Sequence, residues 1–98
     1  MIKHLVLLHW NESADDKSIA EVIAAFDAIP GEVPQIRRCE HGSDAGFFKG
    51  NADYAVIMDF ETEEDLKAYV FHPAHQRLLD EVTGPILASF SCTQIRLD

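Results

Sequence analysis

Imidazole is the side chain best suited to moving protons near neutral pH, because its unperturbed pKa of about 6.5 lies there. The chain has five histidines, at positions 4, 9, 41, 72 and 75. His75 has the placement that such chemistry needs. It stands with Leu78, Leu79 and Val82 at offsets 0, 3, 4 and 7, the spacing of one helical stripe, so its ring faces a core rather than solvent. A phenol, Tyr69, lies six residues earlier, across the His72-Pro73 pair. The same placement also suits a purely structural histidine, satisfied by a backbone carbonyl or by Tyr69 and fixing a turn between two helices.

Other chemistries find less support. His72 and His75 are three residues apart, but a zinc site uses about four ligands and Pro73 disturbs the shared helical face, so no metal is expected. Cys39 and Cys92 have no metal or redox spacing and read as buried or half-buried thiols. Gly42, Gly46 and Gly50 fall outside GxGxxG and P-loop spacing, which argues against phosphate binding. No GxSxG serine motif is present.

The elements that must position these residues follow from periodicity. Ile2 to Trp10 alternates as a strand, with His4, Val6, Leu8 and Trp10 on one face and Lys3, Leu5, Leu7 and His9 on the other. Both faces are apolar, so a cover is expected on each side. Ser13 and Asp16 form an S-x-x-D helix start. Ile19, Val22, Ile23, Phe26 and Ile29 then draw one helical stripe, which Pro30-Gly31 is expected to end. Ile36 to Glu40 reads as a charged edge strand, and His41 to Asn51 as a Gly-rich loop. Phe47 and Phe48 are expected to anchor that loop on the body, and His41 to lie on the surface. Ala52 to Glu61 is a second strong strand, and Thr62 with Asp65 starts another helix. His72 should close it and cap the next one, with Pro73 in the first turn. Gly84-Pro85 stops that helix, and Ile86 to Leu97 is the last strand. The order β-α-β-β-α(α)-β is the ferredoxin-like, α+β arrangement.

Ninety-eight residues allow one domain, 1–98. A net charge of −9, from 8 Lys and Arg against 17 Asp and Glu, makes nucleic acid and anionic membranes poor partners. No stretch approaches the ~18 apolar residues of a membrane span, and the opening run is too short for a signal peptide, so a cytoplasmic setting is expected.

The block Tyr69-Val70-Phe71-His72-Pro73-Ala74-His75-Gln76 resembles the stress-responsive alpha/beta-barrel (Dabb) domain family, as do the Ile2 to Leu8 opening, the Ile29-Pro30-Gly31 helix end and the Tyr54 to Phe60 strand. The resemblance spans nearly the whole chain. It implies a homodimer in which two four-stranded sheets face one another as a barrel with helices outside. Leu5, Leu7 and Ile57 would then face the partner, while Val6, Leu8, Val56 and Phe60 face the helices. The usual strand order of such a fold would put Cys39 and Cys92 on opposite edges, beyond the reach of a disulfide.

One branch of the family is a plant polyketide cyclase that performs an intramolecular aldol condensation. By the shared motif His75 stands where its base stands, Tyr69 where its tyrosine stands and His4 where a pocket histidine stands. The resemblance thus implies a catalytic pair, His75 and Tyr69, with His4 in the pocket; Val6, Leu8, Tyr54, Val56 and Phe26 are expected to complete the substrate site, although beyond those three positions the pocket does not follow the family's pattern. His75 would take an acidic proton, Tyr69 would donate to the enolate oxygen and His4 would hold a second carbonyl, with no cofactor. The expected ligand is a small hydrophobic carbonyl or aromatic metabolite, handled by cyclase, lyase or isomerase chemistry. Two alternatives stand beside it: a non-catalytic stress-responsive dimer whose pocket its own side chains fill, and a cofactor-independent monooxygenase.

Overall fold

Strand β1, Ile2–Trp10, forms where the alternating apolar run predicts it, and it takes a central place in the sheet. The computed structural model describes residues 1–98, and the elements after β1 are α1 (Asp16–Glu32), β2 (Arg38–Ser43), β3 (Tyr54–Phe60), α2 (Glu63–Val70), α3 (Pro73–Arg77) and β4 (Leu87–Arg96). Between α3 and β4 the chain passes through a π-helical segment, Leu78–Thr83, and a 3₁₀ turn, Gly84–Ile86. The sheet is antiparallel in the order β2-β3-β1-β4. The fold is ferredoxin-like α+β, and Cys39 on β2 and Cys92 on β4 stand on opposite edges as free thiols. No helix is long and apolar enough to cross a membrane.

Register decides which side chains meet the helices. His4 pairs with Met58, Val6 with Val56 and Leu8 with Tyr54, so these residues share one face. Val22, Phe26 and Ile29 of α1, Tyr69 of α2, and Ala74 and Leu78 beyond it cover that face and bury Leu8, Tyr54, Val56, Met58 and Phe60. The opposite face carries Leu5, Leu7, Ala55 and Ile57, and no helix of this chain covers it; Leu7 is 47% exposed. The second cover expected for β1 is therefore not supplied by the chain itself.

Local details depart from the sequence reading for physical reasons. The first helix starts two residues later than S-x-x-D suggested, with Asp15 as N-cap. Its carboxylate accepts from the Ser18 N–H at 2.8 Å while Ser18 Oγ accepts from the Asp15 N–H at 2.9 Å, a capping box with acid and hydroxyl exchanged. Pro30 does not end the helix but sits in its last turn, which closes at Glu32. Proline lacks the N–H that would bond the Phe26 carbonyl; the Cys39 thiol stands 4.0 Å from that oxygen instead.

The second strand lies two to three residues later than Ile36 to Glu40. Arg37 N–H bonds Asp59 O, and pairing then runs through His41↔Val56 to Ser43↔Tyr54, so the ladder overrides the weak strand propensity of His41, Gly42 and Ser43. His41 consequently belongs to β2, and its side chain is only 9% exposed rather than on the surface. Phe47 and Phe48 do not anchor their loop: they are 80% and 77% exposed. The loop is held by Asp44 instead, whose carboxylate accepts from Gly46 N–H and Asn51 Nδ2, with Gly46 and Gly50 at φ 82° and 83°. Cys39 is half-buried as expected, but Cys92 is exposed, because no helix reaches over β4.

Candidate functional site

His4 occupies the middle of β1, between β3 and β4, with its ring toward the helices. Its Nδ1 accepts from Gln94 Nε2 at 2.9 Å, a residue directly opposite on β4. A neutral imidazole that accepts at Nδ1 carries its proton at Nε2, so His4 is a hydrogen-bond donor on its free side.

Tyr69 reaches the same place from α2, a helix begun by Thr62 Oγ1 accepting from the Asp65 N–H at 3.1 Å, as the sequence predicts. Its ring centroid is 5.5 Å from Phe60, 6.2 Å from His4 and 4.3 Å from His75. The chain then turns at His72, whose Nδ1 caps α3 by accepting from the Ala74 N–H at 3.0 Å, with Pro73 following in the first turn. That turn brings His75 back under Val70. His75 Nδ1 and the Val70 carbonyl are 2.9 Å apart; a carbonyl only accepts, so Nδ1 carries the proton and Nε2 keeps the lone pair. The two histidines are thus set in opposite tautomers, one donor and one base.

His4, Val6, Leu8, Phe26, Val56, Tyr69 and His75 line one partly open cavity of about 50 Å³. Seven of the eight residues singled out in the sequence meet there. Tyr54 does not. Its hydroxyl donates to His41 Nδ1 at 2.6 Å, and His41 Nε2 in turn donates to Asp27 at 2.7 Å, a chain of bonds that ties β3 and β2 to α1. The Phe26 ring lies 5.7 Å from His41 and 6.2 Å from Tyr54, so it backs this network while also meeting the cavity. A larger hollow of about 480 Å³ lies on the open face of the sheet, beside Leu7, His9, Asp44, Asn51 and Ala55; its one imidazole, His9, has no hydrogen bond to fix its tautomer, and Asp44 is taken up in holding the loop, so it is the weaker candidate despite its size.

Two further residues line the cavity: Leu79, which the sequence places on the His75 stripe, and Thr83, which was not read from the sequence. The hydroxyl of Thr83 is buried and has no hydrogen-bond partner. The helical stripe drawn through His75 ended at Val82 because it followed apolar residues; Thr83, at offset 8, lies on the same stripe and was passed over as a polar side chain.

Burial sets the charge state of the site. It lowers the pKa of His4, helped by the nearby His75, and lowers that of His75 against the opposing pull of the Val70 carbonyl. Burial also pushes the Tyr69 phenol far up, so it remains a donor. At neutral pH the cavity therefore presents an uncharged base and two uncharged donors. No three His, Cys, Asp or Glu side chains converge in a way that could hold a metal ion.

The model of the stress responsive A/B barrel domain, Dabb, matches residues 2–95. The chain belongs to the Dabb family. An uncharacterized protein from Streptomyces coelicolor is 31% identical over 78 residues, 78% of this chain and 80% of that protein. Among solved structures, a dimeric ferredoxin-like protein of unknown function from Thermobifida fusca YX is 32% identical, with a TM-score of 0.90 over 98% of this chain and 90% of the other. The hydroxynitrile lyase of Passiflora edulis has the same fold at 16% identity, with a TM-score of 0.85 over 99% of this chain and 93% of the lyase.

Proposed function

We propose that this Dabb protein is a homodimer that binds a small carbonyl compound in the His75 cavity and performs cofactor-free proton-transfer chemistry on it, of the lyase, cyclase or isomerase kind. One observation carries the reading: the Nδ1 bond to Val70 leaves the second nitrogen of a neutral, half-buried imidazole as an acceptor, in a cavity it shares with two uncharged donors. His75 Nε2 takes a proton from the carbon beside the carbonyl, and the electron pair of that C–H bond moves into the enolate. The Tyr69 hydroxyl and His4 Nε2–H receive the negative charge on oxygen. Returning the proton to carbon, or trapping the enolate with a second carbonyl, completes an isomerisation or an aldol step.

Size narrows the ligand. A water needs about 10–15 Å³ of such space, so 50 Å³ admits a guest of only a few non-hydrogen atoms, whereas an engineered cavity that takes benzene is about 150 Å³. A short carbonyl compound fits; an aromatic metabolite needs the walls to part. The small volume also favours one competing reading, in which the cavity is a packing defect in a non-catalytic protein.

For assembly, the apolar face of Leu5, Leu7 and Ile57 supports a second copy as the missing cover, forming the dimeric barrel. The Thermobifida fusca relative, described as dimeric, supports the same reading.

Ligand-observed NMR with acetone and hydroxyacetone, followed by deuterium incorporation beside the carbonyl in deuterium oxide, tests the site. Binding to the wild type and exchange that depends on His75 support the reading. Absence of binding favours the non-catalytic protein.

A further inference from the structure

Thr83 stands on the wall of the His75 cavity, 2% exposed, and its hydroxyl oxygen has no partner anywhere in the chain. An unpaired buried hydroxyl costs stability, and most such groups in folded proteins find a partner. A threonine in a helix can return its hydroxyl to the carbonyl one turn back, but Thr83, the last residue of the π-helical turn Leu78–Thr83, makes no such bond. Gly84 makes that turn possible: a Cβ there would meet the Leu79 carbonyl oxygen at 2.4 Å.

We propose that Thr83 is a ligand-binding residue whose hydroxyl takes a second oxygen of the substrate, so that the cavity selects short, neutral compounds bearing a carbonyl and a neighbouring hydroxyl or second carbonyl. The inference rests on the reading of the His75 site given above and extends it. In that reading the first carbonyl occupies Tyr69 and His4, and the acidic C–H faces His75, which leaves the Thr83 hydroxyl over. The remaining wall is carbon, from Val6, Leu8, Phe26, Val56 and Leu79. No Lys, Arg, Asp or Glu lines the cavity, so a carboxylate or an ammonium group would be buried there without a counter-charge. The ligand is therefore uncharged.

The experiment compares acetone with hydroxyacetone on the wild type, Thr83→Val and Thr83→Ser, with the lactate anion as the charged control. Hydroxyacetone should bind the wild type about tenfold tighter than acetone, the worth of one hydrogen bond. Thr83→Val, which keeps the shape and removes the hydroxyl, should erase that preference, and Thr83→Ser should retain it. Lactate should not compete. Thr83→Val should also melt no lower than the wild type, because it removes an unpartnered group. The assignment is overturned if the valine variant keeps the preference, or if it melts lower, which would mean that the hydroxyl holds the fold together. Failure of Thr83 alone leaves acetone binding and His75-dependent exchange in place; failure of the site as a whole removes both.

Discussion

Nδ1 of His75 donates to the carbonyl oxygen of Val70 at 2.9 Å, and this bond fixes both the ring's orientation and its tautomer. Gln76 Nε2 donates to the same oxygen at 2.9 Å. The carbonyl therefore keeps a partner when His75 is replaced. His75→Ala should fold, losing about 1 kcal/mol, and its loss of turnover can be read as chemistry rather than collapse.

Acid should disable and destabilise the protein together. His4 and His75 have folded pKa values lowered from 6.5, chiefly by burial. Between the folded and unfolded values the unfolded chain binds more protons, so the stability these groups confer is present above about pH 6.5 and is lost as pH falls through their lowered values. Turnover should rise with pH across the same window and then level off, since the base acts when neutral. Melting curves of the wild type and His75→Gln check this: the two should diverge above the window and converge below it. Stability from His75 that grew on acidification would contradict the assignment.

The two buried tyrosines should behave in opposite ways. The Tyr69 hydroxyl makes no hydrogen bond within the chain, so Tyr69→Phe should change stability by less than about 1 kcal/mol yet lower turnover about a hundredfold. The Tyr54 hydroxyl holds His41, which holds Asp27, and its phenol is pushed up to about 12 by burial and by the Asp27 charge. Tyr54→Phe should cost about 1–3 kcal/mol through the unpaired His41 nitrogen and leave chemistry at His75 largely intact. Denaturant melts alongside kinetics separate the two.

Gly84→Ala offers a test of the π-helical turn. In an ordinary helix this exchange stabilises by about 1 kcal/mol. Here the added carbon meets Leu79 O at 2.4 Å, and the turn must open. Destabilisation of about 1–3 kcal/mol is expected, with weaker hydroxyacetone binding as Thr83 shifts. A rise in Tm would show that the turn is not strained by a side chain.

A carboxylate on the open sheet face should prevent assembly. Leu7→Asp places one at the centre of the face that a second copy would bury. Sedimentation velocity should give a dimer for the wild type and a monomer for the variant. A monomeric wild type would contradict the proposed assembly.

Much of this was legible in the sequence because the strongest strands are locally self-consistent. In β1 and β3 alternation fixes the face, and the face fixes which of His4, Val6, Leu8 and Val56 meet the helices. The His72 cap was readable because proline constrains its neighbour whatever the surroundings. Three things were not readable. The extent of β2 is imposed by its partner strand rather than by Gly42 or Ser43. The burial of His41 depends on Asp27 and Tyr54, which lie 14 and 13 residues away and meet it only in the fold. Thr83 lies at offset 8 on the His75 stripe, but a stripe traced through apolar residues skips a threonine, and its burial against the cavity shows only in the fold.

The central claim is that His75 is a working base. Deuterium incorporation into hydroxyacetone beside its carbonyl, followed by proton NMR in deuterium oxide at neutral pH, tests it most directly. The wild type should exchange well above buffer, and His75→Ala should fall by about 10²–10⁴-fold while still binding the ketone. Equal exchange by the two proteins, or none by either, would contradict the account.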